Sequence, residues 1–534
     1  MKKMLLTGLA FLLAGLTVAG CGPKKRDPNV ILIGIPESAS VEDYETNELT
    51  LWLEEQTGLD LQFEKFATAA ADYRSQLATR VANNEELPDM LMNFTLTEEL
   101  TTQYGKTGVL MDLKPYFDDK EKSKNFWDGL SKMDETFQKE VLRKMTDSDT
   151  GAIYTAPRIE YALIDPMDYQ LYINQKWLDK LGLKAPTNLD ELHDVLVAFR
   201  DQDPNGNGQK DEIPLIGRDA VYGDAVNWLV NFFTYCDDTR WFNADDNQKL
   251  YLPFDTDEYR EGLKLVAQYI EEGLLSDLFF TVKNSELKAL LNPEDGVETV
   301  GLVSGHSSLI WKDQSEQMED YVPLNLIGRA VYDAQSFTRK SFITTSCQYP
   351  ENAFKVLMAL YSDEGWKRAY YGVKGRDWDD ADAGQISYMG LPADIKDINH
   401  IWGNITTQNW GSVVSFAFYS EGETSQFTDD NAWLTKRYSY VKEMYENYKA
   451  AAEKNNPKYI VQTLIYSTEE KEKTAEIREN VQAYIKDSRA QFCSGELDIN
   501  DDKVWDEYVK KLDELGAKTW TEQAQRLYDE QQKQ

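Results

Sequence analysis

A chain of 534 residues is too long for one hydrophobic core, so two or more lobes are expected. Its 92 acids against 57 Lys and Arg give a net charge of −35, a field that opposes binding to nucleic acid or anionic lipid. Three histidines and four scattered cysteines argue against a His-based zinc or triad enzyme and supply no disulfide framework.

Met1-Lys2-Lys3 followed by an apolar run to Val18 reads as an export signal rather than a membrane span. Val18-Ala19-Gly20-Cys21 resembles the bacterial lipobox, which implies cleavage before Cys21 and acylation there (a palmitate-type anchor in the cell membrane). Loss of Lys2 and Lys3 with the signal takes the charge from −35 to −37. Gly22 to Asn29 is then a short polar tether, and no later stretch is apolar enough to span a bilayer.

Val30 to Ile35 is an apolar run of buried-strand type. A helix is predicted over Asn47–Thr57 with Gly58 as its stop, then a strand over Leu59–Phe63, a helix over Ala69–Asn83 and a strand over Leu87–Met92. This alternation signals an α/β lobe, and ligands in such sheets sit beyond the carboxyl ends of the strands. Glu37 and Asn93, which follow the first and third strands, are therefore candidate ligand contacts.

The stretch Asp203-Pro204-Asn205-Gly206-Asn207-Gly208-Gln209-Lys210-Asp211-Glu212 places side-chain oxygens at alternate positions, with glycines that let it curl. Counted from Asp203, the spacing matches a calcium-binding EF-hand loop: Asn205, Asn207, the Gln209 carbonyl and Asp211 fall on ligand positions. Pro214 stands where that loop carries its bidentate glutamate, so Glu212 would have to serve. A structural calcium is expected here; the alternative is a polar turn between a helix and a strand.

Leu171-Tyr172-Ile173-Asn174-Gln175-Lys176-Trp177-Leu178-Asp179-Lys180-Leu181-Gly182-Leu183, then Ala185 to Leu192, resemble the carbohydrate-type family 1 of extracellular solute-binding proteins of ABC importers. The likeness resumes at Pro350-Glu351-Asn352-Ala353-Phe354-Lys355-Val356-Leu357, and at Tyr484-Ile485-Lys486 and Ser494 to Asp498. The resemblance implies a two-lobe, periplasmic-binding-protein-like α/β fold (type II) with discontinuous lobes joined by a hinge. On this reading 1–20 is signal, 21–29 tether, 30–157 and 340–400 the N-terminal lobe, and 158–339 and 401–534 the C-terminal lobe. Crossings are expected near Pro157, over Phe337 to Thr345, and near residue 400. Charge-rich apolar periodicity predicts a helical C-terminal extension over 425–450, 468–492 and 503–531.

The function implied is a monomeric, non-enzymatic receptor on the outer face of the membrane, which captures an oligosaccharide and delivers it to ABC permease subunits. Sugars are held by aromatic faces and planar polar side chains, and 13 Trp and 30 Tyr suit such a cleft, although cores use them too. Trp228, Trp311, Trp378, Trp402 and Trp410 lie near expected crossings or loop ends. Arg158 and Tyr161 flank the first crossing, and Arg158 and Arg376 would matter most for a carboxylate-bearing ligand. The alternatives are a surface glycoside hydrolase or lyase, and a receptor for a peptide or other solute on the same scaffold. His306 lies close to Ser304, but Gly301 to Gly305 lacks the spacing of a nucleophile elbow.

Overall fold

A computed structural model describes residues 26–532 apart from 40, 134, 161–168, 221–222, 313–314, 331–335, 388–391, 400, 402–409, 411–424, 428–431, 455–460 and 462–463. The export signal, Cys21, Tyr161 and Trp402 lie outside the described residues. In chain order the strands are β1 (Val30–Pro36), β2 (Asp60–Phe66), β3 (Met90–Met92), β4 (Ala156–Glu160), β5 (Leu171–Asn174), β6 (Ile213–Ile216), β7 (Asn243–Ala244), β8 (Leu250–Tyr251), β9 (Val300–Ser304), β10 (Tyr321–Pro323), β11 (Ser336–Ile343), β12 (Trp378–Asp380), β13 (Ile395–Asp397) and β14 (Ser425–Phe427).

The apolar β1 run forms the heart of the first sheet, ordered β2-β1-β3-β11-β4. It pairs in parallel with β2 and β3, and Ile31, Ile33 and Ile35 are buried. Each fully buried side chain of this size is worth about 1.5–3 kcal/mol. The helix Glu48–Thr57 that joins β1 to β2 begins as predicted, with the Asn47 side chain accepting from the Leu49 N–H, and ends at Gly58 with φ 70°.

The expected crossing over 337–345 overlaps β11 of this sheet. β11 runs antiparallel to both β3 and β4, so the chain leaves the first sheet along β4 and returns beside it along β11. Between these strands it builds a second sheet, ordered β10-β5-β9-β6.

The two largest apolar cores follow from this layout. The first gathers Ile33, Leu53, Met90, Phe117, Phe354 and Trp410; the second gathers Tyr172, Phe199, Leu263, Trp311, Phe492 and Trp505. Trp410 belongs to the first core and Val441 to the second. At the C-terminus the helices are Ala432–Lys454, Thr468–Ser494, Asp502–Leu515 and Ala517–Gln531. The predicted 503–531 helix is thus broken at Gly516 (φ 100°), and 425–427 is strand β14. Lys471 reaches from the second of these helices to Glu98 and Glu99 beside the first sheet, at 3.1 and 3.0 Å.

Candidate functional site

β1 connects to β2 on one side of itself, and the chain then crosses to β3 on the other. The carboxyl ends of β1 and β3 therefore flank a topological switch point, where open α/β sheets leave a crevice for ligands. Glu37 and Asn93 stand on either side of it. Glu37 is exposed, with its carboxylate 3.2 Å from Lys65 Nζ and its backbone N–H donating to the Phe66 carbonyl at 2.9 Å. Asn93 adopts φ 62°, a left-handed backbone that asparagine tolerates better than most residues. Its side-chain oxygen accepts from Lys340 Nζ at 3.3 Å. Arg158 lies on β4, paired in register with Thr338 of β11, at the same edge of the sheet.

The tryptophans are placed elsewhere. Trp228 is fully buried, donates its indole N–H to the Leu326 carbonyl at 2.9 Å and packs on Phe232. Trp311 is buried between Tyr172 and Tyr321, with centroids 4.8 and 5.3 Å away. Trp410 is buried against Phe63 and donates to Thr50 Oγ1 at 2.8 Å. These three fill lobe cores and present no face to a ligand, contrary to expectation. Trp378 is likewise buried, donating to the Gly372 carbonyl at 3.0 Å within a small aromatic cluster of Trp366, Tyr370 and Tyr371.

Arg376 is also corrected. Its guanidinium grips Glu48 at 2.7 and 2.5 Å and Asp377 at 2.9 and 2.6 Å, which raises its pKa further and spends its fork on the protein's own carboxylates. The sequence reading missed Arg74, Thr95 and Lys340, which meet Asn93 at the switch point. Their signal was slight: a basic pair, Arg339-Lys340, in the segment read as a crossing.

The acidic loop curls as its composition requires. Asp203 sits at φ 47°, Gly206 at 79° and Gly208 at 74°. Asp203 Oδ1 accepts from the Gly206 N–H at 2.9 Å, Asn205 Oδ1 from Asn207 at 3.0 Å, and Asn207 Oδ1 from Gln209 at 2.7 Å. The amide nitrogens of Asn205 and Asn207 both donate to Asp211, at 3.1 and 2.9 Å. Among the described residues no group of three or more His, Cys or carboxylate side chains closes into a metal cage. Two observations nevertheless fit a cation: Glu212 Oε1 is buried without a hydrogen-bond partner, and burial, with Asp211 and Asp203 nearby, raises the Glu212 pKa. A cavity of about 850 Å³ opens beside the loop, lined by Asn207, Asp211, Leu278, Val282 and Leu290 among others. All its walls come from the second lobe, so it is separate from the switch point.

No family model matches the chain. It is 25% identical over 504 residues to the fructooligosaccharide ABC transporter substrate-binding protein FusA of Streptococcus pneumoniae, covering 90% of this chain and 86% of FusA. Lipoprotein LipO of Bacillus subtilis is 22% identical over 440 residues, 79% of this chain and 78% of LipO. The chain is thus similar over most of its length to a substrate-binding protein of an ABC transporter. The fold agrees: a solute-binding protein from Bifidobacterium longum subsp. infantis superposes with a TM-score of 0.74 at 21% identity, covering 94% of this chain and 98% of that one. FusA itself superposes with a TM-score of 0.70, in one structure with kestose and in another as an EF-hand mutant with fructo-nystose. FusA and the Bifidobacterium protein are described as binding proteins rather than enzymes. Among the described residues no helix is long and apolar enough to cross a membrane.

Proposed function

We propose that this solute-binding protein captures an oligosaccharide between its lobes and presents it to the permease of an ABC importer. The observation that carries the reading is the switch point between β1 and β3, rimmed by polar side chains and bordered by β4 and β11, along which the chain passes between lobes. Ligand contacts from both lobes would favour the closed state over the open one, and only that difference lets a permease distinguish loaded from empty receptor.

Cys21 would carry the lipid that holds a monomer at the outer face of the cell membrane. A calcium ion at the acidic loop would be held by Asp203, Asn205, Asn207, the Gln209 carbonyl, Asp211 and Glu212. Its role would be to neutralise three carboxylates and satisfy Glu212, bracing the second lobe. FusA, a fructooligosaccharide-binding protein whose EF-hand mutant has been solved with fructo-nystose, supports these readings by analogy.

Thermal-shift screening against neutral and acidic oligosaccharides, in calcium and in EDTA, tests the proposal. A rise in Tm with a sugar recovered intact supports it. No shift with any glycan, or a sugar cleaved during the assay, overturns it.

A further inference from the structure

The helix Thr468–Ser494 has 27 residues, a length of about 40 Å, and its two ends engage different lobes. Val481, Ile485, Phe492 and Cys493 are buried in the second core, so the C-terminal half moves with that lobe. The N-terminal turn rests on the first lobe instead. The Thr468 N–H, one of the donors that a helix start leaves unpaired, donates to Asp149 Oδ1 at 2.9 Å, and Asp149 is itself paired with Lys106. One turn on, Lys471 Nζ lies 3.1 Å from Glu98 and 3.0 Å from Glu99. Those acids open the helix Glu98–Lys106, whose Tyr104 packs with Leu91 of β3 and Phe342 of β11. The helix Ala517–Gln531 braces the same turn: Gln523 donates to the Glu470 carbonyl at 3.2 Å and Arg526 pairs with Glu470. At its end Gln531 accepts from Arg143 at 3.3 Å, on a helix whose Val141 and Met145 lie in the first core.

This footing adjoins a strand that crosses between the lobes. Arg339 of β11 donates to the Lys144 carbonyl at 3.0 Å, and the acids acting on its guanidinium are Glu98, Glu99 and Asp147. Next to it, Arg339 and Ser341 pair with the consecutive residues Pro157 and Ala156, which makes Lys340 the extra residue of a β-bulge. A bulge bends its strand. A point beside the crossing strands travels little when the lobes rotate about them, so contacts there survive closure. Two strands alone permit twist as well as bend; a rigid helix footed beside them opposes the twist and leaves the bend.

We infer that the helices Thr468–Ser494 and Ala517–Gln531 form a strut from the second lobe, and that its footing on Asp149, Glu98 and Glu99 is a non-covalent hinge element that confines lobe motion to the closing direction. The inference deepens the two-lobe receptor reading and rests on it. A receptor confined in this way spends a larger fraction of its time able to close on a sugar, and apparent affinity rises in proportion to that fraction.

Small-angle X-ray scattering of the sugar-free full chain, with isothermal titration of neutral and acidic trisaccharides, tests the strut. Lys471→Glu sets a third acid against Glu98 and Glu99. It is expected to enlarge the radius of gyration of the free chain and to weaken trisaccharide binding by about threefold to tenfold. Glu99→Lys acts likewise, and the swap that combines the two substitutions restores both readouts, as partners in one contact must. Should Lys471→Glu fail to melt cooperatively, Asp149→Asn is the substitute. An unchanged radius or affinity in a variant that melts cooperatively, a change that the swap fails to reverse, or a smaller radius with tighter binding overturns the strut. The free-chain scattering needs no sugar, so it decides the strut even if no trisaccharide binds, the result that brings down the receptor reading.

Discussion

Arg489 is the sharpest place to perturb the second lobe. Its side chain, on the helix Thr468–Ser494, is only 2% exposed and meets Asp219 at 2.7 Å, Asp238 at 3.4 Å and Asp224 at 3.5 Å. Asp224 also caps the helix Ala225–Val230 by accepting from the Asn227 N–H at 2.8 Å. Replacing Arg489 by Met keeps much of the volume but leaves the buried Asp224, with the more exposed Asp219 and Asp238, without their cation, which costs about 3 kcal/mol. For a lobe of this size that lowers Tm by roughly 10 °C. The loss must depend on pH. Burial lifts Asp224 from 3.8 to about 7 even beside Arg489, so its protonated form is the one the fold favours. That contribution is complete below the unfolded value and is lost as pH rises through about 7. Arg489→Met should therefore be costliest at pH 8 and milder at pH 5, where Asp224 keeps its proton. Differential scanning calorimetry at both values decides. An unchanged Tm at pH 8, or an equal drop at both, would refute the electrostatic reasoning.

Glu298 follows the same logic, since burial raises it from 4.5 to about 7 beside Asn174, Lys176 and Asp320. Wild-type stability should fall as pH climbs through about 7, and Glu298→Gln should gain about 2 kcal/mol at pH 8 with no gain at pH 4, read from denaturant midpoints. A Cβ on Gly301 would lie 2.3 Å from Phe199 Cδ2 and 3.0 Å from the Pro214 carbonyl, so Gly301→Ala should cost about 1–3 kcal/mol in the same assay. At the acidic loop, 1 mM calcium should stabilise the wild type by about 2.7 kcal/mol if the site binds in the ten-micromolar range. Glu212→Gln should lose most of that gain; an equal calcium response in the variant would remove Glu212 from the proposed ligand set.

What sequence revealed was local. The helix start at Asn47, the Gly58 stop and the strand runs at Val30, Asp60 and Met90 are written in neighbouring residues, and each forms close to its expected position. Failures came where distant segments decide. Trp228, Trp311 and Trp410 had the right residue type for a sugar cleft, but aromatic faces serve cores equally, and only their partners Leu326, Tyr172 and Thr50 reveal which. Arg376 lay beside Asp377 in sequence, a visible warning; Glu48, 328 residues away, was not. Gly516 ends a helix in the left-handed region (φ 100°), a break that the apolar periodicity continuing on both sides conceals. Lys340 was invisible because a bulge is a property of strand pairing, not of composition.

The central claim is that ligand binding closes two lobes. Small-angle X-ray scattering of the full chain, in calcium, with and without a saturating oligosaccharide identified by titration, tests it most directly. The account predicts a smaller radius of gyration with the sugar bound and the sugar recovered uncut; an unchanged radius at full occupancy, or a cleaved sugar, would contradict it.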